Sequence, residues 1–198
     1  MYWTIHKQDI SILYSFCKFI ETDSECIKYI NDPYFRLYIT SVKFAHYLQN
    51  QGAIQRKTLI LTPPKIPHYL YFHFIRGYFD GDGSIYYDKN TKSYRVNFLG
   101  TWEMLKWIKE ILKINSSIRP YKKIARLDIG GNRQVFNILS YLYKDSTEFI
   151  RLERKYNKFK KCEELFKYQE QHRKETWINN LGPYIRNNIS ADRELPDQ

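Results

Sequence analysis

The chain repeats one order of predicted elements, and this repeat limits the possible folds more than any other feature. A strand, an amphipathic helix, two short strands and a second amphipathic helix occur twice, roughly 90 residues apart. The segments RLYITSVKFAHYLQNQG, from Arg36, and RLDIGGNRQVFNILSYLY, from Arg126, each hold the last strand and helix of a copy. Asp9 and Thr101 are the expected N-caps of the first helices. The repeat predicts an α+β fold of two related half-domains, each an antiparallel sheet with helices on one face.

The two copies are unequal. An additional helix, beginning near residues 68–71, and a strand beginning at Ser84 precede the second copy, whereas no residues before Tyr2 match them. We therefore assign residues 1–67 to a first half-domain that lacks this helix and residues 68–167 to a complete half-domain. Residues 168–198 form a polar C-terminal extension.

Charge and composition favour a nucleic-acid partner. The formal net charge is +11, and residues 118–161 hold 12 Lys or Arg against 4 Asp or Glu. A basic surface of this kind attracts polyanions, and nucleic acid is the expected partner, although a merely basic protein is the plainer alternative.

The same composition argues against membrane, secreted and zinc-binding classes. No run of about 18 apolar residues could form a membrane span, and the first residues do not resemble a secretion signal. The three cysteines are scattered and the five histidines dispersed, so we expect no disulfide and no zinc site. We expect a protein of the cytoplasm or an organelle interior that is not secreted.

Two carboxylates stand among glycines in HFIRGYFDGDGSI, residues 73–85. A calcium loop counted from Asp80 would need glycine where Ile85 stands and glutamate where Thr91 stands, so that interpretation fails. A hairpin turn remains possible, because Asp-Gly favours one. A passive helix end also remains possible, although acidic groups there cost about 0.3–1 kcal/mol per charge, which makes Asp82 an odd choice.

The residues before these carboxylates have helical spacing. Phe74, Gly77, Tyr78 and Gly81 fall on one face, with glycine at two successive turns. Glycine removes side-chain bulk and lets another backbone approach closely. We therefore predict that these four residues form an interface with a second helix.

The segment IRGYFDGDG, residues 75–83, resembles the motif that names the LAGLIDADG homing endonucleases. It keeps the glycine at motif position 3, the acids at positions 6 and 8 and the glycine at position 9. The order of elements and the repeat agree with this family. FIRLERKYNKF, residues 149–159, and GAIQRKTLILTPPKIP, residues 52–67, resemble the lysine-bearing segments that close each half. The resemblance spans roughly residues 2–165.

The resemblance implies a saddle-shaped fold and a site-specific, metal-dependent endonuclease that cuts both strands of DNA during intron or intein mobility. Asp82 and the carbonyl of Gly81 would bind Mg²⁺ or another divalent metal at a scissile phosphate. Asp80 would orient backbone at the helix end. Lys155 and its counterpart Lys57 would be catalytic lysines that offset transition-state charge, with a phosphate-contacting or solvated lysine as the alternative for each.

The resemblance also implies that DNA lies on the outward face of the strands, where base reading and sequence-blind phosphate contact are both open. The candidate DNA-binding residues in the second half are Tyr86, Asp88, Arg95, Asn97, Arg119, Tyr121, Lys123, Arg126 and Asp128. Those in the first half are Arg36 and Tyr38, together with Thr4, His6 and Lys28.

The chain departs from the family pattern because only one motif helix is evident. A second motif helix could come from another chain or from a second copy of this chain as a dimer. Alternatively, the protein could be a catalytically weak or inactive nucleic-acid binder, such as an intron maturase or a DNA-binding regulator. Intact Asp82 and Lys155 favour the enzyme, and the missing helix favours the binder.

Overall fold

The structure is a computed structural model that describes residues 1–52 and 59–180, with side chains described through residue 174. Seven strands and six α-helices lie in this part of the chain. The strands are β1 (Tyr2–His6), β2 (Ile27–Asn31), β3 (Tyr34–Tyr38), β4 (Ser84–Asp88), β5 (Ser93–Gly100), β6 (Ile118–Tyr121) and β7 (Ile124–Gly130). The helices are α1 (Ser11–Phe19), α2 (Val42–Asn50), α3 (Tyr71–Asp82), α4 (Trp102–Ile111), α5 (Asn132–Tyr143) and α6 (Glu153–Asn180).

The element order confirms the repeat. The series β1, α1, β2, β3, α2 recurs as β5, α4, β6, β7, α5, and α1 and α4 begin at Ser11 and Trp102. The first sheet has the order β1-β3-β2 and the second the order β4-β5-β7-β6, with all neighbours antiparallel. The predicted α+β fold of two related half-domains is therefore confirmed, and the second half alone carries α3 and β4 in the described chain.

Each half has its own core, and the two cores differ in size. The first contains only four buried residues, among them Leu13 and Cys17 on α1. The corresponding positions of α4, Met104 and Ile108, are buried in a much larger core that also contains Phe79 of α3. The additional helix accounts for part of this difference, because its inner face adds apolar area to the second half.

One of the two expected N-caps is wrong. Thr101 caps α4 as predicted, since its hydroxyl accepts the backbone N–H of Met104 at 3.2 Å. The N-cap of α1 is instead Ile10, with no side-chain hydrogen bond. Asp9 lies in a short 3-10 helix and is 5% exposed, because its carboxylate forms a two-oxygen ion pair with Arg154 at 2.8 and 2.9 Å. This pair joins the first half to the start of α6.

Helix α6 extends beyond the second half-domain that we assigned to residues 68–167. It continues without a break from Glu153 to Asn180, so the boundary that we placed at residue 167 falls inside it. Its inner side packs on α5, where Phe136 stacks on Phe166 at a ring-centroid distance of 4.4 Å. Within the described residues, no helix is long and apolar enough to cross a membrane.

Candidate functional site

Helix α3 ends where the edge strand β4 begins, and a glycine makes this junction possible. Gly83 separates Asp82 from Ser84, and a Cβ at Gly83 would run into both the ring and the carbonyl oxygen of Phe79. The chain therefore passes from helix to strand in one residue. As a result, Gly81 and Asp82 stand exposed at the edge of the second sheet.

The two carboxylates of the motif have different surroundings. Asp80 is 6% exposed and accepts two hydrogen bonds, from the Tyr143 hydroxyl at 2.8 Å and from the backbone N–H of Leu152 at 3.0 Å. Burial raises the pKa of Asp80, and those hydrogen bonds oppose the shift. Burial also raises the pKa of Tyr143. Asp80 therefore fastens the end of α3 to α5 and to the start of α6, in line with the orienting role expected for it.

Asp82, in contrast, keeps its oxygens free for a ligand. Its side chain is exposed, and within the described part of the chain no hydrogen bond or ion pair engages it. Both residues are exposed, and the Asp82 carboxylate and the Gly81 backbone carbonyl are hard oxygen donors. A divalent cation such as Mg²⁺ fits this donor set when substrate oxygens and water complete the shell.

Lys155 is buried rather than solvated. It is 3% exposed, and its ammonium donates to the carbonyl oxygens of Phe79 at 2.5 Å, Asp80 at 2.8 Å and Gly83 at 2.6 Å. Burial lowers the pKa of Lys155 to about 8, and the nearby Asp80 carboxylate opposes this shift. The alternative of a solvated lysine is therefore wrong for Lys155. Lys57, its predicted counterpart, lies outside the described residues.

Sequence reasoning missed the residues that hold the end of α3. Tyr143 lies 63 residues from the carboxylate that it contacts, and Arg154 lies 145 residues from Asp9. Arg76, one turn before Asp80, is 5% exposed and donates to the Leu142 carbonyl at 3.4 Å. Such contacts depend on how distant segments pack, so no local pattern in the sequence marks them.

The four residues of the predicted helix interface differ in exposure: the two glycines are open, and the two aromatic residues are partly buried. Gly77 and Gly81 are exposed, and apart from neighbouring residues and the backbone of α3 itself, no described atom lies within 4 Å of the position that a Cβ would take at either. Phe74 and Tyr78 are half-buried in their own half-domain instead. Phe74 contacts Trp107 of α4 with ring centroids 5.9 Å apart, and the Tyr78 hydroxyl donates to the Leu99 carbonyl at 2.7 Å. Burial raises the pKa of Tyr78 to about 12.

A groove of about 650 Å³ runs along the glycine face of α3. Its walls are α3 and two segments that follow the first sheet, residues 48–52 and 61–66, and Asp82 lies among its lining residues. The two prolines of the second segment, Pro63 and Pro64, also line it. The open glycines thus face a space that the described chain does not fill.

The outward face of the second sheet has the register that the sequence predicted. Strand pairing aligns Tyr86 with Arg95, Asn97 with Asp128 and Arg119 with Arg126, so these residues share one face. Asp88 and Tyr121 occupy the same face two residues along their strands.

Two candidates on this sheet differ from the prediction. Lys123 lies in the turn between β6 and β7 rather than on a strand. Asn97 is on the outward face but only 9% exposed, because it stands on a central strand between Ser84 and Asp128. Asn97 is therefore poorly placed to reach a ligand in this structure.

Equivalent arginines on the two sheets have different neighbours. Arg126 is paired with the Asp128 carboxylate, with nitrogen–oxygen distances of 2.6 and 2.7 Å. Arg36, at the equivalent strand position, bonds the Thr4 hydroxyl at 2.9 Å and lies over the Tyr2 ring, 4.4 Å from its centroid.

The remaining candidates divide between the two sheets. Asp88 pairs with Arg95 at 3.0 Å on the second sheet. In the first, the face of Arg36 also holds Thr4, His6, Lys28 and Tyr38. The His6 ring accepts the backbone N–H of Gln8 at 3.2 Å.

Comparison with known proteins identifies the fold. No family model matches the sequence, and no curated protein matches it. Among solved structures, the LAGLIDADG homing endonuclease I-LtrWI bound to target DNA is similar over 84% of this chain and 79% of its own, with 10% identity and a TM-score of 0.56. The LAGLIDADG homing endonuclease I-SmaMI bound to cleaved DNA is similar over 96% and 83%, with 15% identity and a TM-score of 0.53.

A third structure, of the homing endonuclease I-CvuI with a DNA target, matches 46% of this chain and 62% of its own, with 18% identity and a TM-score of 0.36. The first two likenesses extend over both half-domains, and they agree with the motif at residues 75–83. The chain therefore has the fold of the LAGLIDADG homing endonucleases.

Proposed function

We propose that this chain is a site-specific, Mg²⁺-dependent endonuclease of the homing type that cuts both strands of double-stranded DNA. The observation that carries the proposal is the difference between the two motif carboxylates. Asp80 is buried and fully hydrogen-bonded, whereas Asp82 is exposed beside the outward face of the second sheet with its oxygens unengaged. A carboxylate kept free at a helix C-terminus, where negative charge is unfavourable, indicates a cationic ligand.

In this proposal the chain's own residues bind and orient the reactants. Asp82 and the Gly81 carbonyl would hold Mg²⁺ together with a phosphate oxygen of the DNA. When bound, the metal would polarise that phosphate and lower the pKa of an attacking water. The outward residues of both sheets would hold the duplex. Arg36 and Arg119 could contact base edges or phosphates, since both lie on these faces.

A second motif helix would complete the enzyme. Two strands of DNA offer two scissile phosphates, and the described chain has one motif helix. Gly77 and Gly81 stand open beside the groove, and close packing of another helix is a reason for glycine at both positions. The partner would be a second motif helix, from another chain or from a second copy of this chain.

The alternative function is nucleic-acid binding without cutting, as an intron maturase or a DNA-binding regulator. The specific observation in its favour is the single motif helix within the described residues. A binder needs the basic sheet faces but does not need the second metal site.

A binding selection followed by a cleavage assay separates the two functions. Duplexes that bind the chain are selected from a random pool in the presence of EDTA, and the recovered site is cloned into a supercoiled plasmid. We expect Mg²⁺ to allow cutting at that site, with nicked circles if one strand is cut and linear plasmid if both are cut.

The outcome assigns the function directly. Tight binding with neither nicking nor linearisation, in Mg²⁺ or Mn²⁺ and with a motif-helix peptide added, would support the binder and reject the enzyme. Failure to select any DNA site would reject both the endonuclease and the DNA-binding regulator.

A further inference from the structure

We infer that Lys155 is a positioning residue, which fixes the carbonyl end of α3 and thereby the place of Gly81 and Asp82, and does not itself contact the DNA. The inference departs from the catalytic role that the resemblance implied. It rests on the proposed function only for the statement that Asp82 binds metal, because the contacts of Lys155 are independent of any activity.

The first step is the hydrogen-bonding capacity of the ammonium. A lysine ammonium has three N–H donors and no acceptor. In this structure the three are matched by three backbone carbonyl oxygens, those of Phe79, Asp80 and Gly83, at 2.5–2.8 Å. No donor is left for a phosphate or a water unless a carbonyl is given up. Since Lys155 is 3% exposed, a ligand would also need the surrounding side chains to move.

The second step is the position of these three carbonyls. They belong to the last turn of α3 and to the residue after it, where a helix leaves carbonyl groups without intrahelical partners. The carbonyl of Phe79 also accepts the backbone N–H of Gly83 at 2.9 Å. Lys155 thus supplies donors to the helix C-terminus from a segment 72–76 residues away. A cation here also offsets the negative end of the helix dipole, beside which Asp82 stands.

The third step is the anchoring of Lys155 itself. Its neighbour Arg154 is paired with the buried Asp9 of the first half, and Leu152 donates its backbone N–H to Asp80. Contacts from Leu152, Arg154 and Lys155 therefore fasten the start of α6, one to the first half and the others to the end of α3. The exposed metal donors lie between the carbonyls that Lys155 holds, so their spacing depends on this turn.

An NMR measurement on the wild-type protein tests the contact without any substitution. The ¹H–¹⁵N signals of most lysine ammonium groups are lost through rapid exchange with water. We expect one slowly exchanging ammonium signal, assigned to Lys155 by its absence from Lys155→Gln, and we expect it to persist when DNA is added. An ammonium that exchanges as fast as that of Lys158, or one that shifts to a phosphate contact with DNA, would overturn the inference.

A second measurement tests the consequence for the metal donors. In Lys155→Met we expect the Gly83 amide to exchange with solvent faster, and the dissociation constant for Mn²⁺ in the absence of DNA to rise roughly tenfold. Lys155→Gln, which keeps two N–H donors, should fall between Lys155→Met and the wild type. Lys158→Met is the matched control, because Lys158 is exposed and contacts one carbonyl, that of Ile85 at 3.2 Å. It should change neither quantity.

The outcomes separate a positioning residue from a catalytic one. If Lys155→Met abolishes cutting but leaves both Mn²⁺ affinity and Gly83 exchange unchanged, Lys155 acts on the DNA and the inference fails. If Lys155→Met does not fold, the test uses the Mn²⁺ affinity and Gly83 exchange of Lys155→Gln, together with the ammonium signal of the wild type. If the wild type binds no Mn²⁺ either alone or with the selected DNA site, the proposed function fails, while the ammonium signal still reports on the contact.

Discussion

Replacement of Gly77 by alanine should stabilise the isolated chain. Gly77 lies in the middle of α3, and apart from its neighbours and the backbone of α3 itself, no described atom comes within 4 Å of the position that its Cβ would take. Alanine in a helix interior is about 1 kcal/mol more favourable than glycine, because glycine loses more backbone freedom on folding. With no steric cost to offset this gain, we expect an increase of about 1 kcal/mol in the free energy of unfolding. For a chain of this size that corresponds to a rise of roughly 2–4 °C in Tm.

Gly83→Ala is the matched control, because a Cβ there would overlap the Phe79 ring and carbonyl. It should lower the free energy of unfolding by about 1–3 kcal/mol. Both variants are compared with the wild type by urea unfolding, followed by circular dichroism under conditions where light scattering shows no assembly. If Gly77→Ala destabilises the chain as Gly83→Ala does, the glycine face is already in contact and the open interface is refuted.

Three further predictions concern other parts of the molecule. Asp9→Ala should lower the free energy of unfolding by about 1–2 kcal/mol in urea titrations, because it removes the buried partner of Arg154, whose guanidinium is partly screened by solvent. An unchanged unfolding midpoint would contradict this. In the native protein at pH 8, a thiol reagent should modify Cys26 but not Cys162, because burial raises the pKa of Cys162 to about 12; mass spectrometry identifies the labelled thiol, and rapid labelling of Cys162 would count against the packing described. In DNA titrations, Arg36→Ala should weaken binding more than Arg126→Ala, because a carboxylate already partly neutralises Arg126; equal losses would contradict this.

The repeat was predictable because it rests on local periodicity. Amphipathic helices and short strands in the same order at two places fix the half-domains and the antiparallel sheets before any tertiary contact is known. The outward register of the second sheet followed for the same reason, since strand alternation places Tyr86 and Arg95 on one face. The glycine spacing of α3 predicted an interface with a second helix; Gly77 and Gly81 are exposed, and the interface itself stays a prediction.

The burial of polar groups was not predictable in the same way. Lys155 and Asp9 are charged residues, and each is buried by partners far along the chain. Asn97 has the alternation of an outward residue, but its strand is central and its neighbours cover it. Alternation decides which face a side chain takes, whereas exposure depends on what packs around it.

The most direct test of the central claim compares wild-type protein with Asp82→Asn on the selected DNA site. Protein is raised until a gel-shift assay shows that all the DNA is bound, and cutting in Mg²⁺ is then followed in a single turnover. The account predicts unchanged binding and a loss of cutting of roughly 100-fold or more, because the Asp82 carboxylate is needed only for the metal. Equal cutting by Asp82→Asn and the wild type would contradict the account.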